Sequence, residues 1–126
     1  MKDHHTTPAH FELFKKECRK WIDFFELSDW NIYFDHPNNP EGGFLARSTF
    51  SSITLVATLF LNRNWQHDKP NNQWVKKCAR HEVIHILIGK LSVLAESRYV
   101  SEDEITPATE GLVHKIEAIM DKLEVR

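Results

Sequence analysis

The chain is short of several things at once. Its 126 residues include only two cysteines, four glycines and five prolines, and its 16 Lys and Arg nearly balance 18 Asp and Glu. Two cysteines, Cys18 and Cys78, are too few for a disulfide framework and are expected as reduced thiols in a cytoplasmic protein. No apolar run at the N-terminus has the length of a signal peptide, and none elsewhere approaches a membrane span, so no membrane partner is expected. A net charge of −2 leaves no polyanion footprint and counts against nucleic acid as a partner. Repeats, low-complexity tracts and linkers are missing too, so a single domain over residues 1–126 is expected, with residues 1–6 loose. With 41% hydrophobic and 27% charged residues, the composition is that of an ordinary folded domain.

Against this plain background one stretch stands out, His81-Glu82-Val83-Ile84-His85. On a helix, residues four apart lie about 40° apart around the axis and roughly 6 Å along it, so His81 and His85 can offer ring nitrogens to one metal ion. Neutral imidazole suits Zn²⁺, and Glu82, about 100° round from His81, stands where a carboxylate can take a proton from water during metal-assisted hydrolysis. Chance produces such spacing in roughly 4% of chains of this composition, so the surroundings decide. Val83, Ile84, Ile86, Leu87 and Ile88 make the helix apolar on nearly every side and predict that it is buried, and buried ionisable groups require partners.

The run His81-Glu82-Val83-Ile84-His85-Ile86-Leu87-Ile88-Gly89, followed by Thr109-Glu110-Gly111-Leu112-Val113, resembles the zincin metallopeptidases of the gluzincin kind. In that family a glutamate on a later helix completes the zinc site, and Glu110-Gly111-Leu112-Val113 is similar to the Glu-Gly-aromatic-Ala signature of the aminopeptidase branch. The resemblance covers about residues 75–117. It implies His81, His85 and Glu110 as metal ligands, Glu82 as the general base, and a Tyr or His, for which Tyr99 is the candidate, at the oxyanion. A metzincin is disfavoured, because Ile88 and Leu91 stand where that group has Gly and His. Two cysteines are also too few for the zinc ribbon of SprT-like proteases.

Taken in order, Thr7-Pro8 predicts a helix cap and first turn. Phe11, Phe14, Cys18, Trp21, Ile22 and Phe25 recur at helical spacing, predicting an amphipathic helix over residues 8–27. Alternation predicts a strand over residues 30–35, and His36 to Gly43 reads as a loop. Residues 44–50 and 53–61 predict a hairpin turning at Ser51-Ser52. In zincins an edge strand beside the active-site helix pairs with extended substrate, and the resemblance makes residues 53–61 the candidate for it. The active-site helix is expected over residues 71–93, with Trp74, Cys78, His81, His85, Gly89 and Ser92 on one face. There Gly89 would leave the approach to the metal open, and Cys78 would serve the core. After a charged connection over residues 94–105, where Ser101-x-x-Glu104 can cap a short turn, Thr106-Pro107 is expected to open the last helix. On that helix Glu110, His114 and Glu117 lie nearly opposite the core stripe of Leu112, Ile116, Ile119 and Leu123, so Glu102, Glu104 and His114 remain alternatives to Glu110 as third ligand.

The expected architecture is α+β and zincin-like: a small mixed sheet of three or more strands packed on an N-terminal helix, the His-Glu-x-x-His helix and a C-terminal helix. The expected function is zinc-dependent hydrolysis of peptide bonds in a peptide or protein substrate. The alternative is a catalytically silent or latent module of the same fold that docks a protein on an exposed strand. Oligomeric state is not legible.

Overall fold

A computed structural model describes residues 2–97 and 99–124, with backbone alone for Glu124. The element order is β1 (His4–His5), α1 (Pro8–Phe24), β2 (Asn31–Asp35), β3 (Ala46–Ser51), β4 (Val56–Leu61), β5 (Asn64–Gln66), α2 (Asn72–Leu87), α3 (Gly89–Glu96) and α4 (Glu102–Glu124). The architecture is therefore mixed α+β. No described helix is long and apolar enough to cross a membrane.

The main sheet has the order β2-β4-β3, with β2 parallel and β3 antiparallel to β4. Residues 53–61 thus do not supply an edge strand: β4 is central and paired on both sides, while β3 is the edge that lies against α2. The register sets Ile32, Ala57 and Phe50 side by side on one face, as it does Phe34, Leu59 and Ser48. This face meets α1 and α2, and the fully enclosed core draws Phe14 and Cys18 from α1, Leu59 and Leu61 from β4, and Val75, Ala79 and Val83 from α2. Alternation in β4 continues through Ala57, Leu59 and Leu61, all buried, so the period-two reading of this strand holds.

The hairpin turn is longer than Ser51-Ser52. Leu55 takes a positive φ of 55° and Ile53 is 92% exposed, so two apolar residues read as strand belong to the turn. Ser51 closes it locally, its hydroxyl accepting from Thr54 N at 3.3 Å.

Helix α1 starts as its cap predicts. The Thr7 hydroxyl accepts from His10 N at 3.2 Å and the His10 ring accepts from Thr7 N at 3.0 Å, a reciprocal capping box with Pro8 in the first turn. The terminus before it is tied down rather than loose. His4 and His5 pair with β5, and buried Thr6 donates to Asn62 O at 2.9 Å while its hydroxyl meets His36 Nε2 at 2.7 Å. His36 stacks on Phe11, ring centroids 4.7 Å apart, and partial burial followed by the Arg63 charge holds its pKa below the ordinary histidine value. Buried Asn62 fastens the loop before β3, donating to Asn39 O at 2.7 Å and Phe44 O at 3.0 Å and accepting from Asn39 N at 3.1 Å.

The expected helix over residues 71–93 is two helices. Asn71 caps α2, accepting from Trp74 N at 2.8 Å, and the helix stops at Ile88, whereupon α3 begins at Gly89. The last helix opens at Glu102 rather than Thr106-Pro107. The Ser101 carbonyl accepts from Glu104 N and Ile105 N, both at 3.1 Å, and Pro107 lies inside the helix. Two lysines anchor α4 to the end of α1: Lys115 donates to Glu26 O at 2.7 Å and Lys122 to Phe24 O at 2.8 Å, with the Glu26 carboxylate 2.9 Å from Lys122.

Candidate functional site

Helix α2 is not buried on every side. Val75, Ala79, Glu82, Val83 and Ile86 form its enclosed face, whereas His81, Ile84, His85 and Ile88 are exposed. A three-stranded sheet and α1 cover only part of the helix's circumference. The two histidines sit on that open side.

Their Nε2 atoms are 3.2 Å apart, with the rings at 75° and their centroids 4.9 Å apart. As a hydrogen bond this contact needs one ring to carry the Nε2 proton and the other to accept it. It is also the separation of two ligands on one tetrahedral ion, about 3.3 Å for Zn–N bonds of about 2.0 to 2.1 Å. By donor type and spacing this pair fits zinc.

Glu82 is only 8% exposed, yet it helps line a cleft of about 260 Å³ together with His81, Cys78, Trp74 and the Phe44–Ala46 segment at the start of β3. The cleft therefore lies between α2 and the edge strand, with one motif histidine and the motif carboxylate both on its wall. Cys78, half-buried beside Glu82, has its thiol pushed up to about 11, first by burial and then by the Glu82 charge. Cys18 behind it, fully buried with Sγ 3.9 Å from Ala79 O, is pushed far higher by burial, with Glu82 the next cause. Both cysteines are free thiols that pack rather than react.

The other expected site residues belong to α4 and to the connection before it. Glu110 lies exposed on α4, as do His114 and Glu117, whose side chains approach each other at 3.6 Å. Neighbours of Glu110 on α4, Pro107, Ala108, Gly111 and Leu112, line a separate cleft of about 170 Å³ against Leu27, Trp30, Ile86 and Leu87. Glu102 and Glu104 are exposed in the first turn of α4. Tyr99 is 84% exposed on the connection between α3 and α4. Among the described residues no three His, Cys, Asp or Glu side chains converge as a metal-binding group; the contact the structure does make within the motif is that between His81 and His85.

Gly89 does something other than leave the metal approach open. It is buried, and a Cβ there would stand 2.6 Å from the Phe50 ring, so the glycine lets β3 close onto the end of α2. Phe44, Leu45 and Ala46 escaped the sequence reading as site residues because they stand nearly forty positions before the motif. Trp74, two turns before His81, was signalled by the shared helix face.

Comparisons with protein-family models, with curated proteins and with solved structures return no match.

Proposed function

We propose that the protein is a zincin-like, zinc-dependent peptidase whose site is built on His81, Glu82 and His85. The reading is carried by one relationship: two imidazole nitrogens 3.2 Å apart on the open side of a helix, with a carboxylate one residue along that lines the adjoining cleft. His81 and His85 would hold the ion, with Glu110 as the third ligand by resemblance to the gluzincins. Bound zinc supplies Lewis-acid activation of water and of a carbonyl oxygen.

The chain's own residues do the rest. Glu82 accepts the proton of the water that attacks the peptide carbonyl and returns it to the amine that leaves. Its low exposure limits competing solvent, and its spacing beside His81 keeps it next to the pair without using up a ligand position. The edge strand β3 and α2 form the two walls between which a polypeptide would lie.

Cleavage of a peptide library by wild type and by Glu82→Gln tests the proposal, with zinc measured in both. The expected result is retained zinc in both and cleavage by the wild type alone, since loss of acid–base catalysis is worth about 10² to 10⁴ in rate. Equal cleavage by the two proteins removes Glu82 from the mechanism. Zinc binding without cleavage by either turns the reading to a docking module of the same fold.

A further inference from the structure

The cleft beside Glu82 is not isolated. Leu45 and Trp74 are shared with a second hollow of about 100 Å³ that continues to Trp65, Asp68 and Lys69. Leu45, Trp65 and Asp68 are shared in turn with a third of about 140 Å³, which reaches Gln66 and Pro40. The three join into one track over Leu45, leading from Glu82 past the half-exposed indole of Trp74 onto the loop between β5 and α2. None of the three is lined by a residue beyond Glu82 on α2 or beyond Ala46 on β3, and further along Phe50 packs against Gly89 so closely that a single added carbon would collide.

The floor of the track is held in place. Asn62 ties both Asn39 and Phe44 to the end of β4, the Trp65 indole donates to Leu45 O at 3.2 Å, and the Gln66 side chain donates to Pro40 O. An extended ligand would thus meet a preorganised surface on one side of Glu82, where apolar Leu45, Trp65 and Trp74 are set among Lys77, Asp68 and Lys69, with the Lys77 ammonium 5.5 Å from the Trp74 ring centroid. Trp74 is 51% exposed, large, and positioned by the Asn71 cap, which accepts from its backbone N.

The geometry points to a one-sided substrate track in which Trp74 is a specificity-determining residue, selecting polypeptides with a bulky apolar side chain three or four residues from the scissile bond. The spacing follows from the helix. Trp74 and Glu82 are eight residues apart, about 12 Å along the axis, and an extended chain covers that in three to four residues at about 3.3 Å each. The inference rests on the proposed peptidase only for the position of the scissile bond; the track and its Trp74 anchor stand on the cleft geometry.

The test uses the full chain carrying Glu82→Gln and a set of nine-residue peptides in which one Leu or Phe is moved through an otherwise Ser- and Gly-containing sequence. Affinity is read by calorimetry, and the site by the Trp74 indole N–H signal in nitrogen-edited proton spectra. The expected result is a preference of about tenfold or more for the apolar residue at one position, a shift of the Trp74 signal on binding, and loss of the preference in Trp74→Ala with partial recovery in Trp74→Phe. Wild-type protein with the same peptides then locates the cut three or four residues from the preferred position. Positional preference with no cleavage by wild type overturns the peptidase reading and leaves the Trp74 track standing as a peptide-binding surface. Cleavage by wild type with a flat positional scan, or with a preference that survives Trp74→Ala, overturns the track and leaves the peptidase. Absence of binding to every peptide overturns the track as well.

Discussion

A methyl group at position 89 would stand 2.6 Å from Cε2 of Phe50, whereas one at position 111 would meet nothing within 4 Å. The same substitution should therefore have opposite effects at the two glycines. Gly89→Ala forces the Phe50 ring away from α2 and disturbs its edge-on contact with Trp30, 6.0 Å away, at an expected cost of about 1 to 3 kcal/mol. Gly111→Ala, inside α4 and unobstructed, should stabilise by about 0.5 to 1 kcal/mol through helix propensity. Urea denaturation of the two variants beside the parent checks both signs. Stabilisation by Gly89→Ala would show that Phe50 yields freely and that β3 does not depend on that contact.

That pair also explains why the helix carrying the His-Glu-x-x-His motif was legible only in part. Apolar periodicity runs unbroken from Trp74 through Leu91, and it carries no trace of an aromatic ring arriving from β3, so one helix is the natural reading of what folds as α2 and α3. Local chemistry was readable wherever the partner is near in sequence, as with the Thr7-Pro8 cap and the alternation in β4. The pairing of His4 and His5 with β5 joins segments some sixty residues apart, and the positive φ of Leu55 belongs to no standard turn residue, so neither had a local signal.

Burial of His36 against Phe11 and Thr6 gives the fold an acid-sensitive group. Unfolded His36 takes up a proton near the usual value of about 6.5, whereas folded His36, lowered by burial and by Arg63 and His10 against the opposing Asp35, needs a lower pH. Between those two values the unfolded chain binds more protons, so stability present above about pH 6.5 declines as pH falls towards the folded pKa. Urea midpoints between pH 7.5 and pH 5 should fall less steeply in His36→Gln than in wild type. Parallel pH profiles would mean that His36 titrates alike in the folded and unfolded chain.

Cys78 offers a direct probe of the Glu82 charge. Burial and that charge together push its thiol up to about 11, so at pH 8 it should alkylate far more slowly than a free cysteine, and Cys18 more slowly still. Replacing Glu82 by Gln removes the negative neighbour while conserving shape, which favours the thiolate. The pH midpoint for Cys78 alkylation should therefore move down in Glu82→Gln, with its burial contribution unchanged. A midpoint that stays put would separate Glu82 from Cys78 and from the cleft they both line. Rates are best followed by mass spectrometry of proteolytic peptides, which reads Cys78 and Cys18 separately.

The relative placement of His81, Glu82 and His85 was legible because all three lie within five residues of one helix, where spacing alone fixes geometry. A third ligand has no such protection, since its position depends on how α4 docks. The lysines at 115 and 122 hold α4 to the end of α1, and on that helix Glu110 is exposed.

The pair of histidines makes the metal prediction sharp enough to fail. Purified protein should hold about one Zn²⁺ per chain, and because zinc would bind the folded state, stability should rise by about 2.7 kcal/mol at a concentration of one hundred times Kd. His81→Ala and His85→Ala should each abolish both binding and the gain. If Glu110 completes the site, Glu110→Ala weakens zinc binding while Glu104→Ala and His114→Ala leave it intact; loss of binding in either neighbour with survival in Glu110→Ala transfers the ligand role. Isothermal titration with zinc, run on the same samples as the thermal scans, reads affinity and stability together. Zinc held as tightly by the His81→Ala, His85→Ala double variant as by wild type would place the metal elsewhere and end the peptidase reading with it.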